Sequence, residues 1–177
     1  MRIVSGSLKG RRINLPKNLK LRPTTDFAKE GLFNILSHQI DFEDLAVLDC
    51  FFGTGNISLE FISRGAQHVT SVDINKGSYA YLSKLCAEWS VEDIDVIRAD
   101  VMNFLRSSYG SYDLVFCDPP FDFPELSEIP KLVFENNLLN ENGMLIVEHG
   151  ERTSLAHEEN FVECRKFGSV NFSFFEI

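Results

Sequence analysis

Residues 115–123 read VFCDPPFDF. An apolar run ends on Asp118, two prolines follow, and then an aromatic ring, Phe121. Neither proline can donate to a sheet ladder or continue a helix. Asp118 and the carbonyl of Pro119 are therefore offered at a strand end on a stiffened backbone, with Pro120 holding the turn. Together they can accept one hydrogen bond from each hydrogen of an exocyclic amino group. Such a nitrogen is a poor nucleophile because its lone pair is delocalised into the ring. Two acceptors favour a more pyramidal nitrogen and leave the lone pair aimed at an electrophile. Phe121 offers a flat face for an unstacked base, a contact worth roughly 1–3 kcal/mol. A plain Pro-Pro turn braced by an aromatic contact is the structural alternative.

Three more aspartates stand at comparable places. Asp49 lies in LDCFFGTGNISLE, where Gly53 and Gly55 make a tight loop into a helix. Small residues there let a ligand approach the backbone. Ser58 occupies the position of the third glycine of a dinucleotide fingerprint. Asp73 follows Gly55 by eighteen residues, a spacing suited to ribose hydroxyls. Asp100 closes the run RAD. Four successive strands are thus expected to finish on aspartate, although any one of these could simply cap a helix. A carboxylate rim repels phosphates and favours cations. It suits S-adenosylmethionine, which carries ribose hydroxyls, an ammonium and a sulfonium but no phosphate. NAD would call for the missing glycine and a less acidic rim. The chemistry read from these residues is in-line methyl transfer, driven mainly by positioning.

Positioning these groups requires alternating strands and helices. The pattern predicts a helix from Thr25 or Asp26 with Phe27, Leu32, Ile35 and Leu36 as its apolar stripe, weakened by Gly31. Strands follow at 45–50, 68–74, 94–100, 112–118 and 143–149. Helices lie between them at 55–65, 76–90, 101–108 and 126–139. The 76–90 helix is expected to place Tyr79, Leu82, Cys86 and Trp89 on one face, and Pro130 to start or kink the 126–139 helix. Residues 112–118 are continuously apolar, which predicts a central strand covered on both faces. Residues 160–167 and 170–177 flank Gly168-Ser169 and read as a hairpin. The fold class is α/β: a doubly wound, mostly parallel sheet with an antiparallel hairpin at its C-terminal end. Ligands of such sheets bind beyond the strands' carboxyl ends.

The chain has 177 residues, 44% of them hydrophobic, and a net charge of −9. That charge is uneven. Residues 1–25 carry seven basic residues and no acidic one, whereas 26–177 carry ten basic and all 26 acidic residues. A basic arm on an acidic body suggests a polyanionic partner, with a solvated tail as the alternative. RIVSG and RRINLP contain apolar and turn-forming residues and predict a short hairpin. Cys50, Cys86, Cys117 and Cys164, and the four histidines, have spacings that suggest neither disulfides nor a metal site. With no apolar run long enough for a membrane span and no signal-peptide core, the sequence reads as a cytoplasmic, membrane-free protein, by default a monomer.

The ordered motifs LDCFFGTG, VDIN, AD and DPPF resemble Rossmann-like class I S-adenosylmethionine-dependent methyltransferases acting on amino nitrogens. With RIVSGSLKGRRINLP, LRPTTDFAKEGLFNIL and LEFISRGA added, the chain resembles the bacterial 16S rRNA (guanine-N2) methyltransferase family of RsmD type. The likeness runs from Arg2 to about Glu148. It implies two parts: residues 1–40 as a basic arm and helix packed on the core, and 41–177 as the methyltransferase domain. It implies that Asp49, Gly53 and Gly55 line the methionine end of the cofactor. Asp73, with Ile74 beside it, would hold the ribose, and Asp100 the adenine amino group. Asp118, Pro119, Pro120 and Phe121 would hold the target guanine. Arg2, Lys9, Arg11, Arg12 and Arg22 would meet phosphates of 16S rRNA, either naked or in a small subunit or assembly intermediate. The chain departs from the family at Phe52, where a small residue is common, and at Asp73, where glutamate is common. Competing expectations are a DNA adenine or cytosine-N4 methylase, a protein-glutamine methylase, a non-catalytic RNA-binding module and, more distantly, a nicotinamide oxidoreductase.

Overall fold

The computed structural model describes residues 1–15, 24–108 and 110–177. Along the chain run α1 (Asp26–Gln39), β1 (Ala46–Cys50), α2 (Asn56–Ser63), β2 (His68–Asp73), α3 (Lys76–Trp89) and β3 (Ile94–Arg98). Then come α4 (Val101–Ser107), β4 (Tyr112–Cys117), α5 (Glu128–Glu135), β5 (Leu139–Gly150), β6 (Phe161–Phe167) and β7 (Val170–Glu176). The strands form one seven-stranded sheet in the order β3-β2-β1-β4-β5-β7-β6. The first five are parallel. β7 lies antiparallel between β5 and β6.

Side chains alternate across a strand, and that period divides the core in two. Val47, Leu114, Phe116 and Ile146 face α1, α2 and α3. Leu48, Val115, Cys117, Leu145 and Val147 face α4 and α5. β4 is flanked by β1 and β5, and Leu114 to Cys117 are wholly buried, as a central strand requires. Pro130 falls in the first turn of α5, where a missing N–H has no helical acceptor to lose.

Two apolar stripes differ from the pattern reading. In α1 the buried residues are Ala28, Lys29, Leu32, Phe33 and Leu36, while Phe27 stands 67% exposed. In α3 the stripe runs through Ser78, Leu82, Leu85 and Cys86, leaving Tyr79 on its exposed edge. Gly31 has a packing role: a Cβ there would lie 2.2 Å from the ring of Phe167, so its small size admits the β6–β7 hairpin against α1.

The N-terminal segment is a hairpin, closed by Arg2 pairing with Arg12 and by Ile3 N–H bonded to Arg11 O at 2.9 Å. Ile3, Leu8 and Ile13 are buried in the same cluster as α1 and α2. Its anchor is a fully buried ion pair, Lys29 Nζ to Glu60 Oε2 at 3.0 Å. The Lys29 ammonium also donates to Arg2 O at 2.5 Å and Asn56 Oδ1 at 2.8 Å, which engages its three donors. Burial pulls the ammonium below its ordinary pKa, and Glu60 opposes that shift. Glu60 further accepts Val4 N–H at 2.9 Å, Ser5 N–H at 3.1 Å and Arg64 Nε–H at 2.9 Å. Ser63 binds the hairpin turn, its carbonyl accepting Ser7 N–H at 2.7 Å and its Oγ accepting Leu8 N–H at 2.9 Å. At Gly6, φ is +80° and a Cβ would sit 1.5 Å from Ser63 O, so only glycine fits.

Removing one member of a buried ion pair strands the other charge, at a cost of about 3–5 kcal/mol. Glu60→Gln is expected to lower unfolding stability by that order, read from urea denaturation. The double variant Lys29→Met/Glu60→Gln should recover part of the loss.

Candidate active site

The parallel strands deliver their carboxyl ends to one cavity of about 780 Å³, a size typical of small-ligand sites. Asp49, Asp73, Asp100, Asp118, Glu125 and Glu148 line it, and no lysine or arginine does so among the described residues.

Asp49 lies within β1 and is almost wholly buried. One oxygen accepts the Ser58 hydroxyl, which also meets Ser71 Oγ at 2.8 Å. The serine in the third-glycine position thus locks α2 to β1 and β2 through its hydroxyl. Burial pushes the Asp49 carboxyl up to about 7, the Ser58 bonds opposing and Asp73 adding to the shift.

The loop after β1 turns through positive φ at Phe51, Gly53 and Gly55. Gly53 N–H donates to Asp73 Oδ2 at 2.9 Å, and Asn75 N–H donates to Asp73 Oδ1 at 2.8 Å. The shorter acid at position 73 therefore ties the glycine loop to the start of α3. Gly53 lines the cavity, but Gly55 does not. A Cβ on Gly55 would lie 2.4 Å from Leu82 Cδ1, so that glycine serves helix packing. Phe52 joins the core cluster while touching the cavity wall. Ile74 projects at the mouth, 60% exposed.

The third strand end differs from expectation. β3 stops at Arg98, and Asp100 caps α4 by accepting Asn103 N–H at 2.8 Å. It still lines the cavity. The cap is required because a helix start leaves its first N–H groups without partners.

Asp118 follows β4 directly, its N–H bonded to Cys50 O at 3.2 Å. Pro119 is buried and Pro120 exposed, and Pro120 O accepts Phe123 N–H at 2.9 Å to close the turn. Phe121 is 41% exposed, and Phe123 packs edge-on against Phe51 at 5.2 Å.

Two residues join this turn that the pattern reading did not single out for chemistry. Thr24 Oγ1 lies 2.9 Å from Glu148 Oε2 and 3.4 Å from Asp118 Oδ2. The buried Glu148 follows the apolar run LIV of β5 much as Asp118 follows LVFC of β4. The strand-end rule applied to a fifth strand would have found it. Of the basic residues, Arg2, Lys9, Arg11 and Arg12 are exposed on the hairpin. The Arg11 guanidinium sits over Trp89, 5.2 Å from the ring centroid. Arg22 lies outside the described residues.

The strand order with β7 reversed between β5 and β6, the glycine loop after β1 and the acid after β2 define a class I methyltransferase fold. The family described as Conserved hypothetical protein 95 matches residues 1–176, and the chain belongs to this family, the RsmD family. A relative from Buchnera aphidicola subsp. Baizongia pistaciae, named Ribosomal RNA small subunit methyltransferase D, is 35% identical over 148 residues, covering 84% of this chain and 75% of its own. The solved structure of yhhF from Escherichia coli superposes with a TM-score of 0.85 at 30% identity, covering 99% of this chain and 97% of its own. A SAM dependent methyltransferase from Aquifex aeolicus shares the fold at a TM-score of 0.62 and 14% identity, over 82% of this chain and 88% of its own.

Asp49 makes stability depend on pH. An unfolded aspartate titrates near ~3.9, so between about pH 4 and about pH 7 the folded protein holds a proton that the unfolded chain has lost. The Asp49 contribution is present below that window and lost as pH rises through it. Urea midpoints of the ligand-free protein should show this decline, and Asp49→Asn should remove it.

Proposed function

We propose that the protein transfers the methyl group of S-adenosylmethionine to the exocyclic N2 of one guanine in 16S rRNA. The observation that carries this reading is that the Asp118–Pro119 turn and the Gly53–Asp73 loop open on the same cavity. Methyl donor and amino acceptor would meet in one enclosure.

The donor set suits this cofactor. Six acidic side chains, with no basic side chain among the described lining residues, favour an ammonium and a sulfonium over phosphates. Asp73 would take ribose hydroxyls on the lone pairs that Gly53 and Asn75 leave open. Ile74 would lie against the adenine and Asp100 would accept from its amino group. Asp49 and the backbone at Gly53 would face the methionine end, with Gly55 supporting the loop from behind. When bound, the cofactor supplies an electrophilic methyl group.

On the other side, the Asp118 carboxylate and Pro119 carbonyl would each accept one hydrogen of the target amino group. Pro120 keeps that geometry through its bond to Phe123, and Phe121 would cover one face of the base. The nitrogen becomes acidic as it gains the methyl, so Asp118 needs little basicity. Glu148 supports guanine as the target. It shares the Thr24 hydroxyl with Asp118, so two carboxylates stand side by side. Guanine carries a ring N–H next to its amino group, whereas adenine and cytosine carry an acceptor there. The exposed Arg2, Lys9 and Arg12, with Arg11 on its Trp89 support, would meet RNA phosphates, and Arg22 is included by sequence.

The direct test is transfer of labelled methyl to deproteinised 16S rRNA and to small subunits lacking the modification, followed by mapping of the labelled nucleotide. Label on guanine N2 supports the reading; label on another atom or on no RNA overturns it. Asp118→Ala is expected to reduce kcat at least about 100-fold through lost positioning, with cofactor affinity by titration calorimetry changed only a few-fold. Arg12→Gln should weaken RNA binding and lower the log–log salt slope by about 0.7–0.9 for one lost phosphate contact, measured by filter binding across salt concentrations.

A further inference from the structure

We propose that Phe27 is a stacking platform for the nucleobase adjacent to the target guanine, a second base site on the cavity rim. This rests on the reading above and deepens it.

Phe27 stands 67% exposed in the first turn of α1 and lines the mouth of the cavity. The ring is held in place. Phe167 meets it edge-on, with centroids 6.2 Å apart and planes at 69°. Phe167 in turn lies over Gly31, where any Cβ would clash with it. The neighbouring Lys29 is fixed by its buried pair with Glu60. The chain thus presents to water an apolar ring braced on one edge by Phe167 and otherwise largely uncovered.

Its place relates it to the chemistry. Phe27 follows Thr24 by three residues, and Thr24 Oγ1 is 3.4 Å from Asp118 Oδ2. A cation stands close by on the same surface. Glu30 is three residues beyond Phe27 on α1, so the two are neighbours on the helix. Arg2 Nη2 lies 3.6 Å from Glu30 Oε1, and both side chains are exposed. A ring on an otherwise acidic rim, with a guanidinium held at Glu30 one helical turn away, matches one nucleotide: a base to stack and a phosphate to pair.

The reaction creates the need. An amino group can be gripped by both hydrogens only when its base leaves the stack. The base next to it then loses a stacking partner. Every nucleobase has a π face, so an aromatic ring replaces that partner whatever the sequence. A protein of the small subunit could also cover Phe27, and the test separates the two.

The experiment compares Phe27→Ala and Phe27→Trp with the unaltered protein. The substrates are deproteinised 16S rRNA, small subunits lacking the modification, and an RNA fragment carrying the mapped nucleotide with 2-aminopurine beside it. Phe27→Ala should raise KM for the rRNA about 5- to 30-fold, with kcat and S-adenosylhomocysteine affinity within about twofold. It should also abolish the quenching of 2-aminopurine fluorescence on binding, and Phe27→Trp should restore both. Unchanged KM and quenching in Phe27→Ala overturn the proposal. So does a defect confined to assembled subunits, which would assign Phe27 to a protein contact, or a loss of S-adenosylhomocysteine binding, which would assign it to the cofactor pocket. If the label maps to an amino group other than guanine N2, the function reading fails, and loss of quenching in Phe27→Ala with 2-aminopurine beside that nucleotide leaves the base site standing.

Discussion

A single buried ion pair, Lys29 with Glu60, decides how the N-terminal quarter of this protein meets the catalytic core. Each charge is fully engaged: three donors on the ammonium, four incoming bonds on the carboxylate. Buried pairs of this kind add little net stability compared with apolar residues, but they punish alternatives. Here the alternative punished is any other seating of the hairpin, because Glu60 accepts the backbone N–H groups of Val4 and Ser5. An apolar substitute could fill the same volume without specifying which backbone atoms lie where. The segments RIVSG, AKE and LEFISRG meet at this knot, which explains why a generic methyltransferase core would not require them.

From the knot, geometry passes along α1 to the strand ends. Lys29 fixes the helix, Thr25 caps it by accepting Ala28 N–H at 3.2 Å, and Thr24 reaches Asp118 and Glu148. The basic hairpin and the Asp118–Pro119 turn are thereby parts of one connected arrangement. Met1 Sδ lies 3.9 Å from Thr54 Oγ1, so the open end of the hairpin also borders the glycine loop. Whatever the hairpin holds is thereby held relative to the strand-end cavity, which is what catalysis by positioning demands.

Much of this was legible in the sequence because hydropathy has a period. The alternation of strands and helices, the central place of β4 and the reversed hairpin follow from runs of apolar residues and their breaks. Asp118 and Asp73 were legible because a carboxylate directly after an apolar run has one place to go. What escaped the pattern was pairing and crowding. Lys29 and Glu60 look like solvated charges until a partner 31 residues away is known. Gly31 reads as a weak helix residue, and its purpose appears only when Phe167 of a distant hairpin is packed against it. Phe27 reads as core because it is apolar, yet Lys29 takes the buried position nearby and rotates Phe27 outward. Asp100 lies at the expected cavity but caps α4 instead of closing β3, since a strand end and a helix cap are one or two residues apart.

The strand order carries a consequence for biosynthesis. Among the described residues β6 pairs only with β7, which joins it to β5. Translation produces β6 first, before the strand it pairs with in the finished sheet exists. β5 meanwhile presents an unsatisfied edge, the kind of edge that invites promiscuous pairing. Residues 167–170, which finish one wall of the cavity, belong to this late piece. A nascent chain can therefore assemble its parallel half early, but the cavity gains this wall only after β7 takes its place between β5 and β6.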